Sequence, residues 1–317
     1  MNIEMENVYG PQSSGDNLFT RKARLLQSHY RVNNTNEAMG TGPLTSSTSH
    51  YGNMLVNGES SGKNFFFKET FEYAAKRVME KKPAETIDAF RLFNNMLSSM
   101  PMAFNLFHPL MMIKEKYPDV INKMIQDTFP ALSVFAVEDV KIEFIPTPVT
   151  NYTNDKSAMD AAVFFKDENG EQYLISIELK YTDCLGTNKA KNNLLKFEFA
   201  KNLTQFTDEG LKLIENGCNQ IYRNYLLTEK YRVVHKLKDS YSIILAPAQH
   251  PSTEKEINSL KNNLKPEYHH KIMKYDLESF MNNLKKNCPD ELKNWLENFY
   301  NRYLNFAVVD NLLKGTV

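Results

Sequence analysis

Cysteine is scarce in this chain, and the few present stand apart. Cys184, Cys218 and Cys288 are three in 317 residues, with no CxxC pair among them. A disulfide framework and a thiolate zinc site are both unexpected, and a reducing, cytoplasmic setting fits. Net charge is absent as well, since 38 basic side chains balance 38 acidic ones. No global field advertises a polyanionic partner, so any nucleic-acid contact must come from a local basic patch. No stretch approaches the ~20 apolar residues of a membrane span, so no membrane partner is expected. The acidic start Met-Asn-Ile-Glu-Met-Glu lacks the apolar core of a secretory signal. The motifs of several large enzyme classes are missing too: there is no P-loop, no GxGxxG after a strand and no HExxH. His269 and His270 fall on an expected strand, where neighbours point to opposite faces, a poor arrangement for joint metal ligation. Cys184 has no histidine partner in sequence and reads as an inert thiol.

What is present is a globular composition, 42% hydrophobic, long enough for one large domain or two small ones. Residues 1–60 are polar and rich in Ser, Thr, Asn and Gly, and read as an N-terminal arm with few regular elements. Its basic island at 21–31, RKARLLQSHYR, suits either a segment docked on the core or a contact to DNA. Residues 61–130 turn helical. Apolar residues recur at helical spacing over 68–81 and 84–98. The run 102–113 is almost wholly apolar, a buried helix bent or restarted at Pro109. A short helix follows over 118–129. The remainder, 131–317, alternates strands at 137–146, 241–247 and 268–274 with helical tracts at 208–215, 219–230, 254–264 and 277–286, and ends in a helix after Pro289. That order is α/β in character, a sheet of four or more strands flanked by helices.

The most informative stretch is 159–180, MDAAVFFKDENGEQYLISIELK. Two runs of β-branched and aromatic residues flank Asn169-Gly170, the signature of a hairpin. Asp160, Glu178 and Lys180 stand at its far end. A two-residue Asn-Gly loop would set Asp160 opposite Leu179. A three-residue loop, Glu168-Asn169-Gly170, with Gly170 left-handed in a G1 bulge, sets Asp160 opposite Glu178. The second register also collects Ala161, Val163, Phe165, Tyr173, Ile175, Ile177 and Leu179 on one apolar face, so it is the one expected. Directly opposed carboxylates have Cβ atoms only ~5 Å apart, a repulsion on the order of a few kcal/mol. A divalent cation between them would reverse its sign.

This pattern resembles the PD-(D/E)XK nuclease superfamily, the restriction-endonuclease-like fold. There an Asp begins the second core strand and Glu-x-Lys lies on the third. Here Asp160 and Glu178-Leu179-Lys180 take those places, with Met159 where the motif has Pro. The combination of Ser98-Ser99, MAFNLF at 102–107, MDAAV at 159–163, IELKYTD at 177–183 and QIYRNYLL at 220–227 resembles a bacterial branch of it, over most of the chain from about Arg21. The resemblance implies a restriction-endonuclease-like core with an N-terminal helical extension. It implies a Mg²⁺-dependent nuclease, with Mn²⁺ as a substitute metal, most simply a DNA endonuclease of bacterial defence or restriction. Asp160, Glu178 and the Leu179 carbonyl would hold the metal and Lys180 would act on the water.

Other readings attach to single residues. Some branches of the superfamily carry a Gln-x-x-x-Tyr pair on the helix after the hairpin; here Gln220 matches and Asn224 stands at the Tyr position. Gln220 is thus a candidate catalytic residue, or plain helix surface. Arg223, Lys189, Lys191 and Lys196 are candidate phosphate contacts, or solvated charges. Asn105 inside its apolar run is a helix-packing amide or a support for the metal site, with Glu115 an alternative, and Asp183 reads as a loop acid. A second copy of the chain or a partner protein is compatible with all of this. So is a different class of function: a nuclease-like fold without catalysis that only binds nucleic acid or protein.

Overall fold

The computed structural model describes residues 3–184 and 194–314. The chain divides into two compact units. The first comprises residues 1–81, 87–109 and 288–317, and the second residues 82–86 and 110–287.

In the first unit a short helix α1 (Ile3–Tyr9) precedes α2 (Leu18–Asn34). α2 is a regular helix where composition suggests an irregular arm. Its start is fixed locally: the Asn17 side chain caps it by accepting from Thr20 N–H at 2.8 Å. Phe19, Ala23, Leu25 and Leu26 are then buried along it. Two of its three arginines turn inward, while Arg21 is exposed. Arg24 pairs with Asp16 at 2.6 Å, and the buried Arg31 donates to the Gly52 carbonyl at 2.7 Å. A small hairpin follows, β1 (Met39–Thr41) and β2 (His50–Leu55), with helices α3 (Gly58–Ser61), α4 (Lys68–Met79) and α5 (Ala89–Asn94). α6 (Ser99–Lys116) runs unbroken with Pro109 inside it. Asn105 on this helix is fully buried and fully used. Its Oδ1 accepts from Phe66 N–H at 3.1 Å, and its Nδ2 donates to the Asn64 carbonyl at 2.8 Å and the Tyr303 hydroxyl at 3.2 Å. A buried amide whose oxygen and nitrogen are both engaged, by the loop before α4 and by Tyr303, is a packing element.

The second unit is built on a five-stranded sheet in the order β3-β4-β5-β6-β7. The strands are β3 (Ala136–Phe144), β4 (Met159–Lys166), β5 (Gln172–Leu179), β6 (Asp239–Ala246) and β7 (Ile272–Asp276). β3, β4 and β5 pair antiparallel, while β5, β6 and β7 pair parallel. The parallel pairs require crossovers. α8 (Leu194–Leu203), α9 (Asp208–Glu215) and α10 (Gln220–His235) connect β5 to β6, and α11 (Thr253–Asn262) connects β6 to β7. α7 (Pro118–Thr128) packs on β3, α12 (Leu277–Asn287) packs on β7, and the two helices pack on each other. The chain closes with two first-unit helices, α13 (Lys293–Tyr303) and α14 (Phe306–Lys314). The sheet is the expected mixed α/β architecture of restriction-endonuclease-like type.

Two local expectations shift. The last strand begins at Ile272, because Pro266–Lys271 forms a 3₁₀ turn that takes in His269 and His270. Pro266 at the first position of that turn has its φ preset for a helical start. Of the expected helix over 84–98, only Ala89–Asn94 is helical, capped by Asp88. No helix among the described residues is long and apolar enough to cross a membrane. Cys184, Cys218 and Cys288 are free thiols, and only Cys184 is exposed.

Candidate active site

The β4–β5 hairpin settles the register that places the charges. Asp167 and Glu171 close the turn: Asp167 N–H donates to the Glu171 carbonyl at 3.1 Å and Gly170 N–H to the Asp167 carbonyl at 3.0 Å. Gly170 sits at φ 79°, the left-handed conformation that glycine adopts without strain. The loop is therefore the three-residue one, and the Asp167 side chain staples it by accepting from Asn169 and Glu171 N–H, both at 2.9 Å. Pairing runs from Lys166↔Gln172 to Ala161↔Ile177. One further step along this register sets Asp160 across from Glu178.

At that step the backbone ladder gives way to a side chain. Leu179 N–H donates to Asp160 Oδ2 at 2.8 Å. Both main-chain groups of a strand residue point to the same neighbouring strand, so the Leu179 carbonyl faces the β4 side with it. On the other edge, Lys180 N–H donates to the Leu245 carbonyl at 2.8 Å and extends the β5–β6 ladder. The Lys180 backbone is thus as fixed as a strand interior. Its Nζ lies 2.6 Å from Glu178 Oε1.

Helix α10 supplies the rest. Gln220, in its first turn, accepts from Lys180 Nζ at 3.1 Å and donates to Glu178 Oε1 at 2.7 Å. Asn224, one turn on, donates to Glu178 Oε2, and Thr228, a turn further, meets the Ser176 hydroxyl at 2.6 Å. The periods agree: four helical residues advance about 6 Å and two strand residues about 6.7 Å. Gln220, Asn224 and Thr228 can therefore follow Glu178 and Ser176 in sequence along one polar seam. Glu178 and Lys180 are only 4% and 6% exposed.

Burial pushes the Asp160 carboxyl well above the usual aspartate range, and the charges of Glu178 and Glu143 push it further; Lys180 and the Leu179 N–H oppose this. Burial works to lower the Lys180 pKa, but Glu178, Asp160 and Asp183 outweigh it and hold the ammonium above the ordinary lysine value. The site therefore keeps its cation, while burial and the neighbouring acids favour the neutral form of Asp160.

Asp160, Glu178, Lys180 and Gln220 come together, then, in the second unit. Arg223 lies half-buried in the first turn of α10, with Nη1 3.3 Å from the Cys218 carbonyl. Lys196 is a correction. Its ammonium is buried in an ion pair with Asp155, because α8 turns it into the loop after β3, and it offers no charge to a phosphate. Lys189 and Lys191 lie outside the described residues. Glu115 and Asp183 are exposed.

Two residues that join the site were not singled out from sequence. Asn224 carries a legible signal, the i+4 spacing from Gln220. Glu143 carries none. It falls across from Asp160 between the pairs Ile142↔Ala161 and Phe144↔Met159, but the connection between β3 and β4 is too long to fix a register by turn rules. Glu143 is 6% exposed and sits at φ 48°, a left-handed backbone costing a non-glycine residue about 1–2 kcal/mol. Strict alternation would put Lys141 and Phe144 on opposite faces, yet Lys141 Nζ lies 4.8 Å from the Phe144 ring centre. The twist at Glu143 breaks the alternation.

The mixed sheet, with Asp on one strand and Glu-x-Lys on the next, defines a restriction-endonuclease-like protein. A family model of the PD-(D/E)XK nuclease superfamily matches residues 14–305, nearly the whole chain, and the chain belongs to that superfamily. No curated protein and no solved structure matched it. The superfamily consists generally of phosphodiester-hydrolysing nucleases that act on nucleic acid and typically use divalent metals.

The donors present suit such an ion. They are hard oxygens, as Mg²⁺ and Mn²⁺ prefer, and a dication would relieve the repulsion that Glu178 exerts on Asp160. Among the described residues no three His, Cys, Asp or Glu side chains are already gathered as a metal-binding group; Glu178 faces Lys180, Gln220 and Asn224 instead.

Proposed function

We propose that this chain is a Mg²⁺-dependent nuclease that cuts DNA internally, with Mn²⁺ as a substitute metal, in a setting of bacterial defence or restriction. The observation that carries the reading is the convergence of Asp160, Glu178 and Lys180 at one end of the β4–β5 hairpin. The restriction-endonuclease-like fold supports DNA as the substrate. Asp160, Glu178 and the Leu179 carbonyl would hold the metal. When bound, the metal would lower the pKa of a water and neutralise charge on the phosphodiester. Lys180, held as a cation, orients that water and stabilises the oxyanion that develops on the phosphate. Gln220 fixes the Lys180 ammonium and the Glu178 carboxylate relative to each other, and Asn224 fixes the far Glu178 oxygen. Arg223 would take a phosphate oxygen of the nucleic acid.

The test is cleavage of circular plasmid, linear DNA and RNA in parallel, with Mg²⁺, Mn²⁺ or EDTA. Plasmid nicking or linearisation with metal, absent in Asp160→Ala and Lys180→Ala, is the expected result. Undiminished cutting in both variants would overturn the residue assignment.

A second reading rests on the zero net charge and on Glu178 having both oxygens engaged within the protein. It makes the fold a binding module for nucleic acid or a partner protein, without catalysis. Calorimetric titration with Mn²⁺ separates the two, since only the nuclease reading expects binding that disappears in Asp160→Ala.

A further inference from the structure

The end of α10 far from the catalytic side chains carries an aromatic assembly that the chemistry does not use. Tyr231 and His235, one turn apart on the helix, stack with ring centres 4.1 Å apart and planes 23° apart. Tyr152, from the connection between β3 and β4, lies nearly parallel to both, at 12° to Tyr231 and 14° to His235. Its hydroxyl meets His235 Nε2 at 2.9 Å. The Tyr152 and His235 ring centres are 6.2 Å apart with that hydrogen bond between them, the spacing of rings lying edge to edge. They form one flat plate, and Tyr231 backs it. Phe144 and Phe164 brace Tyr231 in turn, each with its ring centre 5.6 Å away.

Packing accounts for the lower layer, where Phe144, Phe164 and Tyr231 sit on Met159, Ala162, Leu174 and Leu227. It does not account for the plate. His235 is exposed although Tyr231 covers one of its faces, so solvent meets the rest of the ring. Two rings pinned to each other leave a ligand little ordering to impose. A flat, rigid aromatic surface suits a nucleobase, and every base has a π-face to stack. In a duplex those faces are covered by neighbouring pairs, so only an unpaired base can use the plate. Cations stand beside it. Lys141 Nζ lies 4.8 Å and 5.0 Å from the Phe144 and Phe164 ring centres. Its side chain is 41% exposed, with Asp139 at 3.6 Å. Lys236, the residue after His235, is exposed as well. A polyanionic strand with a base at every phosphate matches this pairing of aromatic surface and positive charge.

We propose that Tyr152, His235 and Lys141 form a subsite for single-stranded nucleic acid. An unpaired base stacks on the Tyr152–His235 plate, and a phosphate of the same strand lies at Lys141. The inference rests on nucleic acid as the substrate and adds a strand-holding site separate from the cutting residues. α10 runs from Gln220 to His235, so the plate and the catalytic end are about 22 Å apart by helix geometry, the length of a few nucleotides.

The experiment is fluorescence anisotropy of labelled oligo-dT with the full-length protein in EDTA, beside a hairpin duplex of equal length. Circular dichroism checks that each variant is folded. Oligo-dT should bind more tightly than the duplex. Tyr152→Ala and His235→Ala should each weaken oligo-dT binding roughly 5- to 150-fold. Tyr152→Phe, which keeps the ring and loses the hydroxyl, should retain most of the affinity. Lys141→Gln should reduce the slope of log affinity against log salt by about 0.7. A bromouracil-substituted oligonucleotide should photo-cross-link to Tyr152, Tyr231 or His235. Wild-type affinity in both alanine variants, equal binding of the duplex, or cross-links confined to other residues would overturn the proposal. So would self-association of the wild type that the alanine variants lose, which would assign the plate to a second copy of the chain. The catalytic reading fails separately, in plasmid cleavage with metal: a protein that holds oligo-dT at the plate and cuts nothing keeps the subsite and loses the nuclease.

Discussion

Helix α10 serves two buried carboxylates, and they are treated differently. Glu229, on the helix itself, is 1% exposed and saturated. Its Oε1 accepts from Ser240 at 2.8 Å and pairs with Lys271 at 2.7 Å, and its Oε2 accepts from Gln205 at 2.8 Å and from Arg232 Nε at 2.9 Å. Lys271 also pairs with Asp239, so two acids meet two bases and the network is neutral. Glu178, at the other end of the helix, is bonded as fully, but it stands beside Asp160 and helps push that carboxyl well above its usual range. Both clusters satisfy their hydrogen bonds, and around Glu178 a neighbouring carboxyl is strongly perturbed. Hydrogen-bond satisfaction keeps a buried carboxylate folded in. A strongly perturbed carboxyl in such a cluster is the mark of a group kept for something outside the chain.

The contrast can be broken by exchanging the consequences of mutation at the two ends. Lys180→Ala should lower metal-dependent cleavage on the order of 10³-fold while the protein stays folded by circular dichroism; full activity would place Lys180 with the structural charges. Glu229→Ala should do the reverse. It strands Lys271 and Arg232 in a buried site and should cost about 3–5 kcal/mol in urea unfolding, with kcat of the folded fraction unchanged.

A subtler probe is Asp160→Asn, read for stability in EDTA. A carboxyl whose pKa is raised by folding adds stability below its unfolded value, ~3.9. That contribution is lost as pH rises through the folded value. The Asn variant has nothing to lose, so its advantage over the wild type should grow as pH rises through the folded value. An advantage that shrinks with pH would mean that folding does not raise the Asp160 pKa. The smallest effect is expected midway along the seam. Thr228→Val removes one hydroxyl contact to Ser176, and should cost about 1 kcal/mol without changing cleavage or metal affinity.

How much of this was legible depends on how local the determining contacts are. The hairpin was readable because a three-residue turn, a glycine and two alternating strands lie within one short stretch, and they fix Asp160 against Glu178 without reference to anything distant. Gln220 was readable from its resemblance and Asn224 from helical spacing. Glu143 was not, because its partner lies across a long connection and its signal is a backbone angle. Lys196 was misplaced for a related reason: a lysine run looks solvated until a helix turns one member onto a buried Asp155. The early chain misled through composition, where Ser and Asn were read as irregular although Asn17 is the cap that starts α2.

The turn at Glu168–Gly170 has a consequence for how such a protein ages over generations. Replacing any one of Asp160, Glu178 or Lys180 deletes one function and leaves a recognisable trace. Losing one residue from the turn would slip β4 against β5, and a one-residue slip exchanges the faces of a strand. Every motif residue would survive in the sequence while the two acids no longer met. In descendants of this chain, turn length therefore carries as much information about lost chemistry as the motif itself, and an intact Asp-to-Glu-x-Lys spacing of 160 to 180 is the inheritance to look for.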